Sequence, residues 1–137
     1  MTYQAKLISG IIFITVPTIQ YGGYFLLRIL SKQDPNLTLT SFQQSMFRAG
    51  HAHAGVLVIL ALVAQIFIDY AALPSFLMWV ARVGFPVAAI LVSGGFFAGA
   101  IGSNVSRPTR LIRILYVGVV VLAASVLILG VGLIRSY

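Results

Sequence analysis

Cysteine and glutamate are both absent from this 137-residue chain, and Asp34 and Asp69 are its only carboxylate side chains. The lack of cysteine excludes disulfides, thiolate metal sites and a thiol nucleophile. No paired carboxylates, nucleotide loop, nucleophile elbow or zinc-protease signature can be found, so hydrolytic chemistry has no visible apparatus. Charge of either sign is scarce at 8% of residues, whereas soluble domains carry about a quarter. A chain so poor in charge and 60% hydrophobic cannot cover a water-soluble globule with polar surface. Its natural solvent is lipid.

Nine Lys and Arg give a formal charge of +7. They sit singly beside apolar runs, as topology determinants and partners for anionic lipid headgroups do, and no basic stripe interleaved with aromatics suggests nucleic acid. A bilayer crossing needs about twenty mostly apolar residues, and four stretches reach that length. The reading is an all-α polytopic membrane protein, a four-transmembrane-helix bundle. Residues 1–137 form a single transmembrane domain with helices at 7–30, 41–69, 75–101 and 109–134. The first run follows Lys6 as a secretory signal would, but it is too long and lacks a small-residue cleavage site, so it reads as a retained span.

The connectors carry turn chemistry. Asp34-Pro-Asn36 marks a turn, and Thr40 or Ser41 followed by Gln43 or Gln44 predicts a capping box opening the second helix. Leu73-Pro-Ser75 makes a tight second connection, and Pro108 in the third suits a first helical turn. Counting by side gives Lys6, Arg82 and Arg135 with the termini, against Arg28, Lys32, Arg48, Arg107, Arg110 and Arg113. The positive-inside rule then places both termini outside the cytoplasm. Asn36-Leu-Thr38 and Asn104-Val-Ser106 match the glycosylation sequon on the predicted cytoplasmic side and read as chance matches.

Pro17 and Pro86 interrupt the first and third spans, each freeing a carbonyl that needs another donor in lipid. Gly95 and Gly99, one turn apart, favour close backbone approach, within the chain or between copies of it. We assign these four residues structural roles. No internal repeat argues for an inverted-repeat transporter.

The segment Phe47-Arg-Ala-Gly-His-Ala-His-Ala-Gly55 holds both histidines and an internal cation. At about 100° per residue, residues eighteen apart align, so His51 and Asp69 share a helix face with Gln44, Arg48 and Gln65 close to the same line. Such a polar stripe should face other helices or a wet cavity. His53 lies about 200° from His51, so the pair cannot chelate one metal on a regular helix, and no metal site is predicted. On the first span Pro17, either Gln20 or Tyr21, Tyr24 and Arg28 recur at three- or four-residue steps. With helix adjacency assumed, Gln20, Tyr24, Arg28, Arg48, His51, Arg113 and Tyr116 would line a basic pocket for a small anionic or amphiphilic ligand. Asp69 and Arg82 are expected to form a structural salt bridge across the short loop.

Two resemblances bear on function. Arg48-Ala-Gly-His-Ala-His-Ala-Gly55 entering an apolar run resembles the haem-ligand helix of haem-copper oxidase main subunits. That implies at most one haem b on His51, which pairing across a symmetric dimer could complete, because the further histidines of that family have no counterpart here. The four-helix plan with outside termini is similar to the trimeric membrane glutathione transferases. Here His53-Ala-Gly-Val56 stands where that family carries the Asn and Glu that follow its histidine. The expected function is an oligomeric ligand-binding or transport subunit with a polar cavity around Arg48 and His51. A haem-binding redox subunit, a membrane transferase for lipophilic substrates and a structural subunit without a site are the alternatives.

Overall fold

The computed structural model describes residues 1–31 and 38–137. Lys32, Asp34 and the Asp34-Pro-Asn36 turn signal lie outside the described residues. Four helices run up and down: α1 (Tyr3–Leu30), α2 (Ser41–Ile68), α3 (Ser75–Gly99) and α4 (Arg113–Ile134), the last entered through a 3-10 turn at Arg110–Ile112. All four are long and apolar enough to cross a membrane, and there is no strand among the described residues. The four-helix bundle expected from the apolar runs is therefore what the chain forms. The first helix starts four residues earlier than the apolar run predicts because Thr2 caps it, its hydroxyl accepting from Ala5 N.

The predicted capping box is present: Thr40 Oγ1 accepts from Gln43 N, and Gln43 Oε1 accepts from Thr40 N. Gln43 is itself buried, and its amide nitrogen donates to Ala100 O at 3.0 Å and Gly102 O at 2.9 Å. One side chain thereby ends the capping problem of α2 and satisfies carbonyls past the end of α3. Thr109 fastens α4 to the same place, donating from its backbone to Gly99 O and from its hydroxyl to Ala98 O. At the opposite end Ala72 N donates to Gly132 O, which ties the α2–α3 loop to the last turns of α4.

Helices α3 and α4 are in backbone contact. A β-carbon on Gly95 would strike the Leu115 backbone, one on Gly84 would strike Ser125 Oγ, and one on Gly118 would stand 2.7 Å from Val92 N. On Gly99 it would stand 2.8 Å from Ile112 Cδ1, so Gly95 and Gly99 both serve a contact within the chain. The answering stripe on α4 is Gly118, Ser125 and Gly132, all buried and spaced by seven residues. Helix α2 packs on the other flank of α3, in an antiparallel register that sets Gly50 against Phe97 and Gln65 against Arg82. Helix α1 rests mainly on α2, and among the described residues it does not touch α4.

Candidate functional site

Two polar constellations lie inside the bundle, one at each half of α2. The first joins the ends nearest the chain termini. Arg82 is only 1% exposed and Gln65 is fully buried. The Arg82 guanidinium donates to Asp69 Oδ1, to Gln65 Oε1 at 3.3 Å and to Thr2 Oγ1 at 3.3 Å. Thr2 also donates to Asp69, from its backbone at 2.7 Å and its hydroxyl at 2.8 Å, and the terminal ammonium stands 3.9 Å from Asp69 Oδ2. Burial raises the Asp69 carboxyl, but the hydrogen bonds from Arg82 and Thr2 outweigh it and hold the group below its ordinary value of 3.8.

Gln65 closes this network through the backbone. Pro86 has no N–H, so the carbonyl four residues earlier, that of Arg82, loses its helical donor. Gln65 Nε2 donates to that oxygen at 3.0 Å. The need created by one proline is met by an amide on the neighbouring helix, as satisfaction in lipid requires. Around Pro17 the hydroxyls of Thr15 and Thr18 donate to Ile12 O and Thr15 O, each at 2.6 Å, and neither reaches Phe13 O, the carbonyl that Pro17 frees.

The second constellation centres on His51. The backbone from Ser41 to Ile68 is continuously helical, and His51 points at α1, not at lipid. A methyl group on Gly23 would come within 3.1 Å of His51 Nε2, and one on Gly22 within 3.6 Å of Nδ1. The two glycines thus make room for the imidazole to lie against the α1 backbone. Immediately toward the terminal end the helices part. A crevice of about 360 Å³ opens between α1, α2 and α3, walled by Ile11, Ile12, Thr15, Thr18 and Ile19, by Ala54, Val58 and Ala61, and by Pro86, Ala89, Ile90 and Ser93. It falls within the size range of small-molecule sites, roughly 300–1,000 Å³. Ser93 is 7% exposed, and its Oγ is the one buried side-chain polar atom without a partner among the described residues.

The other residues of the predicted pocket stand apart. Tyr24 and Tyr116 are 58% and 60% exposed, and Gln20, Arg28, Arg48 and Arg113 are exposed too. Helix α1 turns Ile12, Gly22, Gly23, Leu26 and Ile29 inward, which rotates its Gln20, Tyr24 and Arg28 face outward. Because α1 and α4 do not touch, Arg113 and Tyr116 line no common cavity with that face inside one chain. Arg48 lies one turn from His51 on α2, toward its N-terminus, and is exposed. His53 faces the other side of α2, stacks on Phe96 with centroids 4.9 Å apart, and donates from Nδ1 to Ala49 O at 2.7 Å. Among the described residues no three His, Asp or Glu side chains converge.

The sequence reading passed over Thr2, Ser93 and the α4 stripe. Gly118, Ser125 and Gly132 were detectable from their seven-residue step. Ser93 was not, because a lone serine in an apolar helix ordinarily bonds its own backbone. No family model, curated protein or solved structure matches this chain.

Proposed function

We propose that this chain is a membrane-embedded ligand-binding subunit that admits a lipophilic or amphiphilic small molecule from the bilayer into the crevice between α1, α2 and α3. The observation that carries the reading is the crevice itself, walled by three helices directly beneath His51 and holding the unpartnered Ser93 hydroxyl. Three features support it. The walls are apolar apart from three hydroxyls, so the tail of an amphiphile fits them. His51 and, one turn on, Arg48 offer hydrogen bonding and positive charge at the rim. Helix α1 rests chiefly on one neighbour, so it is the natural element to swing aside for entry.

The Lys and Arg distribution supports termini outside the cytoplasm. Burial removes Arg82 from the sequence count, leaving Lys6 and Arg135 at the terminal end against Arg28, Lys32, Arg48, Arg107, Arg110 and Arg113 at the other. Assembly into a homo-oligomer would cover the exposed outer face of α1 and belongs to the same proposal. The haem alternative gains less from the geometry, because the His51 ring nitrogens sit against Gly22 and Gly23, where even a methyl group would come within 3.1 Å of Nε2.

An alkyl diazirine incorporated into vesicles with the protein tests the reading. Photolabelling is expected to concentrate on crevice residues such as Thr15, Ala54 and Ala89, and to be lost in Ala54→Phe, which fills the space. Even labelling of all four outer helix faces, unchanged in Ala54→Phe, would refute it.

A further inference from the structure

Resting on that reading, we infer that the ligand is an uncharged lipophile bearing a carbonyl oxygen, of which a long-chain quinone is the chemical type, and that the Ser93 hydroxyl donates to that oxygen. The argument begins with which protons are available. Thr15 and Thr18 commit theirs to Ile12 O and Thr15 O of their own helix. Ser93 commits its proton to nothing, although a helical serine has the carbonyl four residues back as a default acceptor. A buried hydroxyl without a partner is unfavourable, so a ligand that supplies an acceptor recovers that loss on binding.

Charge and depth narrow the class. No ionisable side chain lines the crevice, so an anionic head would sit out at Arg48 and could not reach Ser93. The antiparallel register that pairs Gly50 with Phe97 and Gln65 with Arg82 sets Ser93 level with Ala54, which is the middle of α2. On α3 Ser93 lies six residues from the midpoint Val87, about 9 Å along the axis. Both measures put it inside the hydrocarbon, whose half-thickness is about 15 Å. The ester carbonyls of a phospholipid are anchored at the edge of that layer by the headgroup. A carbonyl that reaches Ser93 therefore belongs to a molecule dissolved in the bilayer core. His51 stands one turn away, about 5 Å along the axis, and offers a second hydrogen-bonding group to the same head while the tail runs toward Ile12 and Ala61.

The test uses the full chain in a detergent free of ester lipids, with a decyl-substituted benzoquinone as probe. Uptake is followed by titration and the carbonyl stretch by infrared difference spectroscopy. Wild type should bind saturably with one carbonyl band lowered. Ser93→Ala should bind about 3- to 10-fold more weakly, the loss of a single hydrogen bond, and return that band to its free position. Ser93→Thr, which keeps the hydroxyl, should restore both. Ser93→Ala indistinguishable from wild type, or decylbenzene bound as tightly as the quinone, would overturn the carbonyl assignment while leaving the crevice reading intact. Displacement of the quinone by diacylglycerol would overturn the choice of an unanchored lipophile. No saturable uptake of either decyl probe would overturn both the inference and the reading beneath it.

Discussion

The seam between α3 and α4 and the seam between α1 and its neighbours are built from the same apolar residue types but to opposite ends. On the first, glycines at 84, 95, 99 and 118 bring backbones together until no β-carbon fits. On the second, Gly22 and Gly23 meet only the His51 ring, and a crevice between α1, α2 and α3 takes the place of backbone contact below it. In lipid no hydrophobic effect presses helices together, so association depends on close packing and internal hydrogen bonds. The half of the molecule that has both is the scaffold. The half that has given up packing is where a guest molecule fits.

The comparison breaks most visibly at the one polar network that joins the halves. Arg82 holds Thr2 at the start of α1 and Asp69 at the end of α2 from its place on α3. Arg82→Ala leaves the Asp69 carboxylate with only the terminal ammonium, 3.9 Å away, as its cation, and Gln65 Oε1 without a donor. Removing one partner of such a pair costs about 3–5 kcal/mol. Thermal unfolding in detergent should show that loss, with protease nicking of α1 appearing first. A variant as stable as wild type would mean that the network does not hold the helices together.

Next in size is the glycine contrast itself. Gly95→Ala places a methyl group against the Leu115 backbone, which neither helix can relieve by a side-chain movement. Overpacking of this kind costs about 1–3 kcal/mol. The same substitution at Gly10 meets open space, and the gain in helix propensity of about 0.5–1 kcal/mol should make it neutral or slightly stabilising. Equal effects at the two positions, measured by the same unfolding assay, would erase the distinction between the seams.

What was legible in the sequence follows from period and length. Four apolar runs separated by turn residues can only be four helices, and Thr40 with Gln43 specified where α2 begins. Asp69 and Arg82 could be paired because a short loop joins their helices. The pocket could not be drawn the same way, because it depended on which face α1 presents. The four-residue steps of Gln20, Tyr24 and Arg28 define a face as regular as that of Ile12, Gly22 and Leu26. In a soluble helix polarity would decide which one turns inward. In lipid the small residues at 22 and 23 decide it, because only they admit the His51 ring. The crevice below followed from helix spacing, which no residue pattern encodes.

The smallest effect concerns acid. The folded Asp69 carboxyl titrates below 3.8, so the bundle gains stability from its charge at any pH above that value and loses it as pH falls through the lower, folded value. Asp69→Asn should show a modestly lower unfolding midpoint at neutral pH and a shallower decline below 3.8, the difference between the two curves isolating this group from the other carboxyls. Uptake of the quinone probe should be unchanged, since Asp69 lies fifteen residues along α2 from the level of Ser93, about 22 Å. Loss of uptake in a well-folded Asp69→Asn protein would show that the network and the crevice act together. The physical route would then be Pro86, which lines the crevice and owes its bonded carbonyl partner to Gln65, so that loosening one end of α2 would reset the spacing at the other.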